Sequence, residues 1–276
     1  MNYIGIRGHR GAGKMTIAYL LGETINYLIP KLKHDNIYTF DDEFKEVYTK
    51  WCEWVKEDED IITGTDLEKV YFENFGDGPK TIVALILGMD AELLYDDWHK
   101  DHTVVNLKDF SYTIYPNEIP VNCLEAEELY QLFNAKKEPA VILKDKYVTL
   151  REFIMYFGKE IMQRYFGLNV WVKSLKMSDS RYPSPYNDKN YYKIFADAKF
   201  PSEITYIKDN NGIIIKVNRP GHKKKGKDML LHDDRYDYEV TIGDRLEDTA
   251  QAIFDIAYDI INKNNKNGKE NYKRSK

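Results

Sequence analysis

Cysteine, arginine and long apolar runs are all scarce in these 276 residues. Two cysteines, Cys52 and Cys123, exclude a disulfide scaffold and suit a reducing cytoplasm. The longest aliphatic stretch, Ile82 to Leu87, is far shorter than the ~20 residues a membrane helix needs. The opening MNYIGIRG lacks a basic segment followed by an apolar one, the mark of a secretory leader. A cytoplasmic protein without membrane association is the expectation. Positive charge is also in deficit, with 40 Lys+Arg against 45 Asp+Glu, a net charge of −5. Lys263, Lys266, Lys269, Lys273, Arg274 and Lys276 face only Glu270 in the last fifteen residues, so that segment carries +5 and residues 1–261 carry −10. An acidic body excludes a general nucleic-acid coat, because phosphate contacts need a basic face. The tail, 263–276, reads as a basic disordered end with at most weak steering toward nucleic acid.

The chain does hold ample apolar and aromatic material, 43% and 14%, enough for a large core. Tyr3–Ile6 reads as a strand, followed by a glycine-rich turn. A helix then places Ile17, Leu20, Leu21 and Ile25 on one face and is expected to stop at Pro30. Ile37–Phe40 is a second strand candidate. A helix from Asp41 carries Phe44, Val47, Tyr48, Trp51, Trp54 and Val55 at helical spacing. Thr65–Glu68 and Thr149–Glu152 have the capping-box pattern. Ile82–Leu87 reads as a buried helix, Thr103–Tyr115 as a hairpin and Ser178–Lys189 as a loop. Strand and helix alternate again over Tyr192–Ala196, Pro201–Lys208, Ile213–Val217, Tyr238–Ile242 and Leu246–Ile261. The expected fold class is α/β, a three-layer sandwich with a mostly parallel sheet. Its core would span 1–55 and 148–262, with 56–147 inserted as a substrate-side region.

One motif carries chemistry. Gly8-His9-Arg10-Gly11-Ala12-Gly13-Lys14-Met15-Thr16 matches the phosphate-loop spacing G-x-x-x-x-G-K. Glycines let the backbone aim several N–H groups at one phosphate, and the helix start adds its positive end. Lys14 would reach the terminal phosphates of ATP. Met15 follows it where a magnesium-binding hydroxyl is usual, so Thr16, one place on, is the expected Mg²⁺ ligand. By composition alone this spacing arises in about one chain in a hundred.

Further segments stand in order along the chain. Phe40-Asp-Asp-Glu-Phe-Lys45-Glu precedes Thr149-Leu-Arg151-Glu-Phe-Ile-Met-Tyr-Phe-Gly158-Lys-Glu160 with Trp171-Val172. Phe195-Ala-Asp197-Ala-Lys199-Phe200-Pro201-Ser-Glu203 and Val217-Asn-Arg219-Pro220-Gly221 follow. Together with the loop, these resemble the bacteriophage deoxynucleoside monophosphate kinases, over the first 50 residues and roughly 145–250. Met155, Lys159 and Lys199 depart from that family's pattern, which has Gln, Thr and Arg there. No arginine lies between Arg10 and Arg151.

The resemblance implies a P-loop kinase that moves a phosphate from ATP to a deoxynucleoside 5′-monophosphate, in a host cytoplasm and as a homodimer. It implies catalytic roles for Lys14, Arg151 and Asp197. Gly8, Arg10, Gly11, Ala12, Gly13, Lys14, Met15, Thr16 and Arg219 would bind ATP. Lys45, Arg151, Trp171, Asp197 and Lys199 would bind the acceptor. Lys45 and Arg151 sit in first helical turns, where a cation is unfavourable without an anion nearby. Each also reads as a plain surface charge, and Trp171 equally as core. The fold would also serve a kinase of hydroxymethylated bases in DNA, or a nucleotide-binding protein without turnover. Base preference stays open.

Overall fold

The structure, a computed structural model, describes residues 2–9, 11–35, 39–57, 67–114, 147–181, 191–221 and 235–274. β1 (Asn2–Arg7) leads through the glycine loop into α1 (Lys14–Asp35), and α2 (Asp42–Glu57) precedes β2 (Val70–Glu73). Next come α3 (Asp77–Leu87), a 3-10 turn (Ala91–Leu94), α4 (Asp97–His102), β3 (Thr103–Asn106), β4 (Tyr112–Ile114), β5 (Tyr147–Thr149) and α5 (Leu150–Tyr156). That helix continues through a π-helical stretch (Phe157–Gln163) and a last turn (Arg164–Phe166), and α6 is Val170–Arg181. Then follow β6 (Tyr192–Phe195), α7 (Pro201–Asp209), β7 (Ile213–Asn218), β8 (Tyr238–Thr241), a 3-10 turn (Leu246–Thr249) and α8 (Ala250–Arg274). They form two compact units, residues 1–75 with 176–276, and residues 76–175.

The first unit is built on a five-stranded sheet in the order β2-β6-β1-β7-β8, and all four pairings are parallel. Parallel neighbours require crossovers, and here these place helices on both faces. Strand residues alternate between the faces. Ile4, Ile6, Tyr192, Ile194, Ile215 and Val217 bury against α1, α2 and α8. Gly5, Phe195 and Ile214 face α7 instead, where a Cβ on Gly5 would stand 2.5 Å from Ile207 Cδ1. Tyr3, Phe75, Phe195 and Tyr206 pack ring against ring on that side. The helices after the neighbouring strands β1 and β6 thus lie on opposite faces, and the crevice between their carboxyl ends is where α/β sheets collect ligands.

The second unit holds a three-stranded antiparallel sheet, β4-β3-β5. Its hairpin, β3 with β4, matches the one expected over 103–115 as far as Ile114. Thr149 caps α5 with the expected reciprocal box. Its hydroxyl accepts the Glu152 N–H at 3.0 Å, and the Glu152 carboxylate accepts the Thr149 N–H at 2.9 Å. Val83, Leu87, Leu94, Val105, Leu150, Phe153 and Phe157 form its core.

Several expectations change. Pro30 lies inside α1. It removes one hydrogen bond, but Ile25, Leu28 and Leu32 on either side are buried and hold the helix together. Residues 37–38 of the proposed second strand and 65–66 of the first capping box lie outside the described residues. Phe40 packs on Phe44 and Phe254 without strand pairing, and Leu67 bridges to Val70 instead of opening a helix. Only part of Ile82–Leu87 is buried, since Leu85 is 77% exposed. α6 runs into the expected 178–189 loop as far as Arg181. α8 runs past Ile261 to Arg274 across the tail read as disordered; the i,i+4 pair Asp259–Lys263, 2.7 Å, supports its continuation. The boundaries also move. β2 pairs with β6 and so belongs to the first unit, while 148–175 belongs to the second because Leu150, Phe153, Phe157 and Trp171 bury in its core.

Candidate functional site

The glycine loop leaves the end of β1, the central strand. Gly11 and Gly13 have φ of 75° and 80°, left-handed values that a side chain would strain. Gly8 is fixed by space: a Cβ there would be 2.7 Å from the Val217 carbonyl of β7. Lys14 curls back over the loop and its Nζ donates to the His9 carbonyl at 2.8 Å. The Ala12 N–H donates to the same oxygen at 3.1 Å, and the first helical bond, Ile17 N–H to Gly13 carbonyl, is 3.0 Å. Two donors on the His9 carbonyl, one of them an ammonium, and a helix N-terminus directly after Gly13 together have the geometry that suits an anion. Met15 packs against the main core and Thr16 is half-buried in the first turn of α1. Arg10 lies outside the described residues.

Asp197 follows β6, next to β1. Its Oδ1 accepts the Phe75 N–H at 2.8 Å, and the Ala198 N–H donates to the Ile6 carbonyl at 3.1 Å. The turn after β6 is thus bonded to the strand that carries the loop. Glu203, 6% exposed in the first turn of α7, accepts the Lys199 and Phe200 N–H groups on one oxygen, at 2.7 and 2.9 Å. Burial first, and the Asp197 charge second, push its carboxyl up to about 8; the two N–H bonds pull the other way. Beneath this corner Lys193 on β6 and Glu73 at the end of β2 form a buried ion pair, 2.6 Å.

The remaining first-unit candidates are more exposed. Lys45, in the first turn of α2, pairs with Asp42 at 2.8 Å and lies over the Phe40 ring. Lys199 and Arg219 are exposed beyond the ends of β6 and β7. Cys52 is buried, which pushes its thiol up to about 12 and leaves it inert as a nucleophile. Cys123 lies outside the described residues.

Arg151 and Trp171 belong to the second unit. Arg151 donates to Asp101 from both Nε and Nη2, the latter at 3.0 Å, and to Asp97 Oδ1 at 3.1 Å. Its cation is neutralised by two carboxylates one helical turn apart on α4. Trp171 is 9% exposed, packs against the Gly78 backbone, and donates to the Gly158 carbonyl at 3.3 Å. It fills the core of the second unit, the alternative to stacking on a base. His99 turns to Asp96, while His102 stacks on Trp98 and donates from Nδ1 to its carbonyl. Among the described residues no three His, Cys, Asp or Glu side chains group as a metal site, and no helix is long and apolar enough to cross a membrane.

Sequence reasoning missed the partners of Arg151 and the Lys193–Glu73 pair. Asp97 and Asp101 stand at i,i+4 before a hairpin, a visible signal for a cation on that face. Burial outweighed by Lys100 and Arg151 holds the Asp97 carboxyl down at about 2. A lowered carboxyl adds stability that is present above its ordinary value of 3.8 and is lost as pH falls toward 2. Arg151→Ala should cost about 1 kcal/mol at pH 7, because Asp97 is two-thirds exposed and Asp101 is the carboxylate that loses most. In urea unfolding, the gap to wild type should narrow between pH 4 and pH 2; a gap independent of pH would show that the pair stabilises by packing alone.

No family model and no curated protein matches the chain.

Proposed function

We propose that this protein is a phosphotransferase that takes the γ-phosphoryl group of ATP and delivers it to a deoxynucleoside 5′-monophosphate. The observation that supports this reading most is the glycine loop closed by Lys14 on the His9 carbonyl, at the end of a central parallel strand and beside the strand whose following turn carries Asp197. The acceptor class rests on the resemblance of the segments around Lys45, Arg151, Asp197 and Arg219.

Phosphoryl transfer asks for positioning and charge neutralisation more than covalent help. The N–H groups of the loop and the start of α1 hold the β- and γ-phosphates. Lys14 gives up its bond to His9 and neutralises charge on the group in transit. An oxygen of the acceptor's phosphate bonds to the γ-phosphorus as the bond to the bridging oxygen breaks, giving ADP and a deoxynucleoside diphosphate. Asp197, held on the Phe75 N–H, presents a fixed carboxylate to the crevice. Lys45 can exchange exposed Asp42 for the acceptor's phosphate at little cost, whereas Arg151 would have to abandon two carboxylates. Thr16 offers the hydroxyl for Mg²⁺ in the first turn of the helix, a donor set that fits an ion which keeps most of its water and its substrate phosphates. Mg²⁺, when bound, neutralises phosphate charge.

The test is incubation of the purified protein with ATP, Mg²⁺ and each deoxynucleoside monophosphate in turn, following ADP release and product identity. Turnover of at least one is expected. ATP binding without turnover of any of the four would overturn the acceptor class, and absence of ATP binding would overturn the whole reading.

A further inference from the structure

We propose that Glu203 is the positioning residue for Asp197, holding the turn between them so that the Asp197 carboxylate keeps its place at the crevice. This rests on the phosphotransferase reading for its functional consequence, though not for its structural content.

The argument starts from the backbone donors of that turn. Three consecutive N–H groups follow Asp197, and each has a defined acceptor. Ala198 donates to the Ile6 carbonyl of β1, whereas Lys199 and Phe200 both donate to Oε2 of Glu203. The first bond ties the turn to the loop-bearing strand, and the other two tie it to α7. Asp197 in turn takes the Phe75 N–H. The carboxylate is therefore located by a short chain of bonds running from α7 through the turn to the end of β2.

An ordinary capping residue would do part of this. Glu203 sits at the third position of α7, where glutamate often reaches back to the helix start. Two features go beyond a cap. Glu203 is almost wholly buried, whereas capping residues normally sit at the surface. One of its oxygens also accepts from two successive N–H groups, Lys199 at 2.7 Å and Phe200 at 2.9 Å, so a single buried atom fixes both the start of α7 and the turn that follows Asp197.

Glu203→Ala removes the acceptor, and Glu203→Gln restores a neutral one of the same shape. With each variant's active fraction normalised by ATP binding, Glu203→Ala should lower kcat on the order of 10²-fold, the cost of a misplaced group. KM for ATP should stay within twofold, and Glu203→Gln should recover most of the loss. An unchanged kcat in Glu203→Ala, or a loss carried wholly by KM, would overturn the proposal. A second readout does not depend on turnover. Hydrogen exchange at the Phe75 amide, which rests on Asp197, should accelerate at least tenfold in Glu203→Ala while the Ile207 amide in α7 keeps its protection. If Phe75 stays protected, Glu203 does not position Asp197. If wild type proves inactive yet Phe75 is released, the phosphotransferase reading fails and the positioning role stands.

Discussion

Replacing Lys14 with alanine is expected to lower kcat/KM for phosphoryl transfer on the order of 10³-fold while leaving the fold intact. The size follows from what the ammonium does. In the free protein it holds one backbone carbonyl, His9, at 2.8 Å, a half-exposed bond worth about 1 kcal/mol or less. In the proposed complex it would face the anionic oxygens of a triphosphate, where a single preorganised charge contributes far more. Stability should change little, because Lys14 is only half-buried and the His9 carbonyl keeps the Ala12 N–H. Thermal melting checks the first point and initial rates the second. A variant with full activity would show that the loop holds no reacting phosphate.

The largest expected effect on stability lies on the other face of the sheet. Lys193 stands in the middle of β6, opposite Tyr3 of β1 and Tyr71 of β2, with 4% of its side chain exposed. Its partner Glu73 is 16% exposed at 2.6 Å. Lys193→Met would keep most of the hydrocarbon stem but lose the ammonium that lies over the Tyr71 and Phe195 rings. It would strand a carboxylate, at a cost of about 3–5 kcal/mol. Adding Glu73→Leu should return most of that, because the favourable term of a buried pair barely exceeds the desolvation of its members. Urea unfolding of the two variants decides the point; a single variant that loses under 1 kcal/mol would mean water reaches Glu73.

Much of this was legible in the residues. The strand before Gly8, the helix after Lys14, the α2 face from Phe44 to Val55 and the parallel sheet all follow from apolar spacing and glycine placement. β2 was not legible: its residues, Val70–Glu73, are too few to show a period, and only the hydrogen-bonding edge of β6 makes them a strand. The reach of α8 was hidden because the Asn, Lys and Gly residues after Ile261 read as helix-stop signals. At the site, residue types were readable but pairings were not. A sequence offers Arg151 as a phosphate ligand and as a partner for Asp97 and Asp101 alike, and only the approach of α4 to α5 decides between them. Trp171 likewise looks the same in a sequence whether it stacks on a base or fills a core.

The position of β1 has a consequence for the order in which this molecule can be made. Its two neighbours are β6 and β7, so residues 2–7 find no partner strand until residues 192–218 have been synthesised. The unit spanning 76–175 has both ends of its sheet in hand well before that. The loop that follows β1 must therefore wait, an unbacked glycine-rich segment on a nascent chain, through some two hundred residues of translation. Pairing over such separations is slow once it begins. The glycine loop therefore takes its shape only after the strands on either side of β1 have been made.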